Sequence, residues 1–177
     1  KTQELALEEY HKLVSEYGIE NVCLLTPMRK RGTTCTDVLN PLIQERVNPP
    51  DKSKDEFKSP YIHLRVNDRV VCNQNMWDIN VANGDIGTVI GIYNSGKRAI
   101  IDVVFDTGEC VTLSESDVLS LSLAYAMTIH KSQGSEYKGA VVVFASEHWF
   151  MRQRNLLYTA VTRAKEKLRL VGDARAI

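Results

Sequence analysis

Between Ile62 and Ser116 the hydrophobic period of the chain changes, and that change limits what the whole polypeptide can become. Asp68-Arg-Val-Val-Cys72, Gly87-Thr-Val-Ile-Gly-Ile-Tyr93, Arg98-Ala-Ile-Ile-Asp-Val-Val-Phe105 and Glu109-Cys-Val-Thr-Leu113 are short, β-branched runs. They are separated by Asn83-Gly-Asp, Asn94-Ser-Gly and Asp106-Thr-Gly, whose small and amide side chains favour tight turns. Several short strands at this spacing predict a small β-barrel of about 55 residues.

The flanks have another rhythm. Apolar residues at 5, 7, 10, 13, 14 and 17 mark an amphipathic helix from Thr2 to Tyr17, ended by Gly18. Asn21-Val-Cys-Leu-Leu-Thr-Pro27 is a nearly continuous apolar strand, of the kind buried on both faces of a parallel sheet. Arg29-Lys-Arg31 and Gly32-Thr-Thr34 follow it directly, where open α/β sheets commonly receive ligands. A second helix is expected from Thr36 to Val47, with Val38, Leu39, Leu42, Ile43 and Val47 inward and Pro41 in the first turn. The polar, proline-rich stretch 48–60 reads as a linker or surface loop.

After the barrel the chain returns to an α/β layer near Leu121. Residues 1–60 and 117–177 are therefore expected to form one discontinuous domain around an insert at 61–116. In the return segment, the apolar run from Leu123 breaks into the hydrogen-bonding loop Thr128-Ile-His-Lys-Ser-Gln-Gly-Ser-Glu136. Asn155 to Lys165 carries apolar residues at 156, 157, 160, 161 and 164, one helical face from which Arg163 is excluded. Leu168-Arg-Leu-Val-Gly172 alternates as a short strand does.

Composition excludes several classes. With 44% hydrophobic and 25% charged residues, the chain can bury a globular core. Its formal net charge is zero, so any attraction to nucleic acid must be local. Cys23, Cys35, Cys72 and Cys110 form no C-x-x-C pair, which argues for free thiols in a reducing cytoplasm rather than zinc or redox chemistry. No leader pattern and no apolar run approaching a membrane span of roughly 18 residues is present. The chain starts directly in a helix-like segment, so Lys1 is expected to be a boundary within a longer protein. Gly91-Ile-Tyr-Asn-Ser-Gly-Lys97 fits a phosphate-binding G-x-x-x-x-G-K, but Arg98 replaces the Ser or Thr that would ligate magnesium. β-Branched residues follow it at once instead of a helix, so a hairpin turn is expected there.

Two words in the return segment carry a family resemblance. Thr128 to Glu136 resembles motif V of superfamily 1 helicases, and Leu157-Tyr-Thr-Ala-Val-Thr-Arg-Ala-Lys165 resembles their motif VI, especially in the RecD-like branch. Asn67-Asp-Arg-Val and Asn83-Gly-Asp-Ile-Gly87 resemble the SH3-like barrel of the same branch. The resemblance implies an α/β fold: a RecA-like (P-loop NTPase-like) parallel-sheet domain, the carboxy-terminal one of the helicase, with an inserted SH3-like barrel. ATP and Mg2+ would then be bound mainly by a preceding RecA-like domain of the same protein. This agrees with the lack of a complete Walker A loop and of a strand ending in Asp-Glu. Single-stranded DNA and helicase-nuclease partner subunits are the implied partners, with no membrane.

The resemblance also distributes roles. Arg163 matches the motif VI arginine finger, a permanent, forked charge suited to phosphate oxygens; otherwise it is a helix-surface arginine paired with Glu166. Arg29 matches a motif IV arginine and a second γ-phosphate contact, or belongs to a solvated basic turn with Lys30 and Arg31. Glu136 matches an acid that accepts from the ribose, with Gln133 and Gly134 shaping that pocket; otherwise the word is a plain turn. Thr128 and His130 match positions near the DNA backbone, or are structural residues at a strand end. Trp77, closing the polar run Asn73-Gln-Asn-Met76, could stack on a base or pack inward. No metal site and no nuclease-type carboxylate cluster stands out. A conjugative relaxase half and a non-enzymatic protein- or nucleic-acid-binding module are the competing readings.

Overall fold

A computed structural model describes residues 1–95, 98–146 and 154–173. In chain order the elements begin α1 (Thr2–Tyr17), β1 (Val22–Thr26), α2 (Thr36–Val47), β2 (Glu56–Lys58), β3 (His63–Arg65), β4 (Arg69–Cys72) and β5 (Ile86–Ser95). They continue β6 (Arg98–Phe105), β7 (Cys110–Ser114), α3 (Glu115–Val118), β8 (Leu121–Leu123), β9 (Ala126–Thr128), β10 (Tyr137–Phe144), α4 (Arg154–Val161) and β11 (Ala164–Gly172). Two compact units result, residues 1–43 with 125–177, and residues 44–124.

The first unit is built on a parallel sheet in the order β11-β10-β1-β9. Every residue of β1 is buried, as its unbroken apolar run demands. α1 covers the sheet with Ala6, Leu7, Tyr10 and Leu13, and ends where Gly18 takes φ 83°. Leu5, expected inward, is instead 46% exposed, and the small Ala6 takes the buried position beside the sheet. Asn40 of α2 is buried and bonds both backbone groups of Ala126, its amide donating to the carbonyl (2.9 Å) and its oxygen accepting from the N–H (2.8 Å). That pairing satisfies β9 on a side where, among the described residues, no further strand lies.

Two details of α2 differ from expectation. Pro41 stands in the second turn, not the first, because Thr36 already opens the helix with its N–H bonded to the Met28 carbonyl. Leu42 points outward at 37% exposure, while Leu39 and Ile43 supply the buried stripe. A helix with one narrow buried stripe has no room for a third apolar row.

The second unit is an antiparallel sheet in the order β7-β6-β5-β4-β8 with the hairpin β2-β3. Phe57, Leu64, Val70, Val89, Ile101, Val103, Phe105 and Leu113 meet in its core. Ile90 is the extra residue of a bulge, since Val89 pairs with Val103 and Gly91 with Asp102; this turns Ile90 out to 49% exposure. Gly87 is needed for close approach, because a Cβ there would stand 2.7 Å from the Val104 carbonyl oxygen. The hairpin expected at Asn94-Ser-Gly has both strands in place, with Ser95 opposite Arg98, while Gly96 and Lys97 lie outside the described residues.

The division falls earlier than residue 61 and later than residue 116. The cause is polar as well as apolar. Asp68, fully buried, accepts from the Gln44 amide (2.5 Å), the Asn48 amide (2.7 Å) and the Arg65 N–H (2.7 Å), drawing the last turn of α2 into this unit. Arg65, 3% exposed, donates to Glu45, to Glu56 (3.1 Å) and to the Asn48 carbonyl (2.8 Å). Downstream, β8 pairs with β4, which extends the sheet past Ser116.

Candidate functional site

The motif VI word does not remain helical to Lys165. α4 ends at Val161, and Ala164 already pairs with Tyr137 in the sheet. Thr159 and Thr162 hydroxyls donate back to the Asn155 (2.9 Å) and Thr159 (3.0 Å) carbonyls, a competition with the backbone that loosens a helix end. Arg163 therefore sits in a turn between helix and strand.

Its guanidinium is held by neutral atoms. Nε donates to the Thr159 carbonyl, Nη1 to the Ser135 carbonyl and Nη2 to the Thr162 hydroxyl, each at 3.1 Å. Among the described residues no carboxylate pairs with it, so the Glu166 partnership does not form. Three dipoles orient the fork without cancelling its charge. The Tyr137 N–H donates to the Arg163 carbonyl (2.9 Å), tying the turn to the start of β10.

Glu136 lies on the same turn and pairs with Lys165 at 2.6 Å, both side chains more than half exposed. The Lys165 hydrogen bond and charge, and more weakly the Arg163 charge, hold the Glu136 carboxyl below its ordinary range. An exposed pair of this kind contributes little to stability and can be exchanged for another partner. Ser135 and Lys165 were not singled out from the sequence: the first acts through a carbonyl that has no side-chain signature, and the second was counted as helical.

The motif V loop is a chain of short-range bonds. The Ile129 N–H donates to the Thr26 carbonyl (3.1 Å), Ser132 N–H to Thr128 O (3.1 Å), Gln133 N–H to His130 O (3.3 Å) and Ser135 N–H to Ser132 O (3.0 Å). The buried Ser132 hydroxyl donates to the Ile129 carbonyl (2.8 Å), and the Thr128 hydroxyl accepts from the Lys131 N–H (3.3 Å). Gly134 takes φ 86°, a left-handed conformation that lets the loop turn toward Ser135. His130, Gln133, Gly134 and Glu136 are exposed and Thr128 is half-buried.

Strand register then separates these residues into two groups. Thr128 stands beside Thr26 at the carboxyl edge of the sheet, whereas Tyr137 and Ala164 pair at the amino edge. Leu25 is level with Val142 and, through it, with Leu170, and the run from Ala164 to Leu170 covers about 20 Å at roughly 3.3 Å per residue. Arg29 leaves beyond Leu25, and Arg163 precedes Ala164. The structure thus brings together Arg163, Ser135, Glu136 and Lys165, and separately Thr128, His130 and Arg29. Arg29 and Arg163 thus leave the sheet from opposite ends of its strands. Arg29 rests 3.4 Å from Asp37.

In the second unit, Trp77 opens a short turn (Trp77–Ile79) closed by the Met76–Val81 bridge and is 77% exposed. The packing alternative for Trp77 is overturned. Its base is rigid, with the Asn75 side chain accepting from the Asn83 N–H (2.8 Å) and the Gln74 amide donating to Ser120. Among the described residues no group of three His, Cys, Asp or Glu side chains could hold a metal, and no helix is long and apolar enough to cross a membrane. Cys23, Cys35 and Cys72 are buried free thiols and Cys110 is an exposed one.

Comparisons with known proteins show what the chain resembles. The profile of the UvrD-like helicase C-terminal domain matches residues 123–171, and that of the ATP-dependent RecD-like DNA helicase SH3 domain matches residues 39–105. The chain is 36% identical over 155 residues to the ATP-dependent RecD2 DNA helicase of Deinococcus radiodurans, covering 88% of this chain and 20% of that protein. It is 40% identical over 103 residues to the RecBCD enzyme subunit RecD of Mycobacterium tuberculosis, covering 58% of this chain and 17% of that one. The chain thus spans about a fifth of the length of the curated relatives it matches. Among solved structures, Bacteroides Pif1 bound to ssDNA matches with a TM-score of 0.57 at 20% identity, over 88% of this chain and 41% of that one. Pif1 helicase from Candida albicans matches with a TM-score of 0.53 at 17% identity, over 87% and 46%. These two likenesses carry the fold.

Proposed function

Starting from a chain that belongs to the C-terminal part of the RecD-like helicase family, we propose that it forms one wall of an ATP cleft in a 5′ to 3′ DNA helicase of repair or recombination, in the cytoplasm. The observation that carries this reading is the Arg163 guanidinium, oriented by three neutral acceptors on the turn that also carries Glu136.

ATP, when bound, supplies a γ-phosphoryl group on which negative charge builds as it is transferred to water. Arg163 answers that charge from a fixed position, so little reorganisation is needed as the charge develops. Glu136 accepts a hydrogen bond from the ribose, exchanging part of its exposed contact with Lys165, while Gln133 and Gly134 border the same pocket. The metal and the phosphate cradle belong, in this reading, to a preceding RecA-like domain. Thr128 and His130 meet the backbone of single-stranded DNA, and Trp77 stacks on a base. One loop, Thr128 to Glu136, runs from the DNA edge of the sheet to the nucleotide edge, giving a direct mechanical link between the two ligands.

Two measurements test the reading. The 177-residue chain alone is expected to hydrolyse no ATP with or without single-stranded DNA; DNA-stimulated hydrolysis by it would overturn the division of labour. Joined to its upstream domain, the protein should lose about 10³-fold or more in kcat on Arg163→Ala with its fold unchanged, the scale of an arginine finger. An effect below tenfold would remove Arg163 from the transition state.

A further inference from the structure

Along β5 the side-chain alternation slips by one residue, and the slip decides what the outer face of that sheet carries. Counted without interruption from the buried Val89, a period of two would send Ile92 outward and Tyr93 into the core. The bulge at Ile90 reverses that phase, so that Ile92 is buried and Tyr93 is 57% exposed. Ile90 is exposed as well, and Ile100, directly opposite Tyr93 on β6, is 41% exposed. A sheet with one wet face normally turns polar residues outward, as β7 does with Cys110, Thr112 and Ser114. A contiguous apolar patch that breaks this rule marks a contact surface.

Tyr93 does not stand up from its strand. A Cβ added at Gly91 would come 2.8 Å from the Tyr93 hydroxyl and 3.0 Å from two of its ring carbons, so the far end of the ring lies over the bare backbone of Gly91. Gly91 pairs with Asp102 across the strands, which brings a carboxylate to the phenol end of the ring. Asp102 accepts from the Thr112 hydroxyl at 2.7 Å, and among the described residues it forms no ion pair.

Charge names the visitor. Residues 44–124 contain twelve Asp and Glu against eight Lys and Arg, a balance that already counts Lys97 and Arg98. With Asp102 on the face and this acidic excess behind it, a phosphate backbone is disfavoured there and a cationic side chain is favoured. An open aromatic ring with a carboxylate at its edge and aliphatic neighbours suits arginine above all. The guanidinium plane stacks on the ring, its fork meets the carboxylate, and its methylene stem lies along Ile100.

We propose that the outer face of β5 and β6, with Ile90, Tyr93, Ile100 and Asp102, docks a basic segment of a partner protein that presents arginine between apolar side chains. The surface belongs to the barrel unit alone and shares no residue with the ATP and DNA contacts assigned above, so it stands or falls apart from them.

The test titrates a capped pentapeptide of alternating leucine and arginine into the nitrogen-15-labelled 177-residue chain and follows the amide shifts. Saturable shifts confined to β5, β6 and Thr112 are expected; their absence overturns the proposal. The same peptide with citrulline in place of arginine keeps the shape and loses the charge, and is expected to bind about tenfold more weakly. Equal binding of the two peptides would show that charge plays no part and overturn the choice of partner. Tyr93→Ala is expected to weaken the arginine peptide about tenfold, Asp102→Asn about threefold, and Tyr93→Phe by no more than about twofold. Gly91→Ala displaces the ring without removing it, is expected to weaken binding about threefold, and decides the matter if Tyr93→Ala does not fold. Wild-type affinity in a folded Tyr93→Ala, or in Gly91→Ala where that variant is needed, sinks the proposal. A loss of labelled oligo-dT binding in Tyr93→Ala would give the face to nucleic acid, and self-association in sedimentation velocity that Tyr93→Ala abolishes would seat a second copy there. Either result overturns the basic protein segment as occupant.

Discussion

Arg65 and Arg69 in one unit and Arg29 and Arg163 in the other are held in opposite ways. In residues 44–124, Arg65 is buried among Glu45, Glu56 and the Asn48 carbonyl, and Arg69 forms a fork on Asp106 at 2.9 and 2.6 Å. In residues 1–43 and 125–177, Arg29 makes a long contact with Asp37, and Arg163 is oriented by neutral oxygens. A buried guanidinium matched to carboxylates is consumed by the fold, because separating it would leave an unpaired charge in a dry interior. One steered by carbonyl and hydroxyl dipoles keeps its charge for something else. The contrast separates cations consumed by the fold from those not locked in a close ion pair, where sequence counts them alike.

The sharpest way to break this contrast is Arg65→Met. It removes the donors that Glu45, Glu56 and the Asn48 carbonyl share, and is expected to cost about 1–3 kcal/mol. Denaturant unfolding of that variant beside Arg29→Gln should show a large loss for the first and a change within about 0.5 kcal/mol for the second. Equal losses would mean that exposure does not mark the free cations.

A middle-sized effect is expected at Trp77. Trp77→Ala should leave the unfolding midpoint unchanged, since the indole packs on nothing it would expose, and should weaken oligo-dT binding by about 1–3 kcal/mol, the range for a base-stacking aromatic. A fall in stability without a change in binding would return Trp77 to a packing role.

The mildest test uses acid. Hydrogen bonds from Lys58 and His63, opposed by partial desolvation, lower the Glu56 carboxyl from 4.5 to about 2. A carboxylate lowered on folding stabilises the fold above its unfolded value, and that contribution is lost as pH falls from about 4.5 toward 2. Glu136 is lowered too, but its pair with Lys165 is exposed and screened. Amide hydrogen exchange between pH 5 and pH 3, corrected for intrinsic rates, should therefore show the residues around β2 and β3 opening before the Ser135–Tyr137 turn. The reverse order would show that the buried network does not depend on Glu56.

Much of the local architecture was legible. The unbroken apolar run of β1, the alternation in β7 and the glycine-marked turns between the barrel strands each encode burial on one or two faces through side-chain period alone. The motif VI arginine was legible too, as a residue off the apolar face. Its surroundings were not, because the helix ends three residues before its apolar pattern does, once Ala164 finds Tyr137. Leu5 and Leu42 faced outward against their hydrophobicity, since a surface helix can bury only the stripe that its neighbour covers. Asp68 drew the end of α2 into the barrel unit through bonds to residues 20 and 24 positions away, which no short window contains.

By itself the sequence determined most helices and strands, though not β2 with its buried Phe57 inside the stretch 48–60 read as a loop, that a barrel interrupts an α/β layer, and which residue types are fit to meet phosphate. Those are local matters, set by side-chain period and chemistry. Only the tertiary structure decided which cations stand near one another, because that depends on the register of parallel strands joined by long excursions of chain. The register places Arg163 and Arg29 at opposite ends of one sheet.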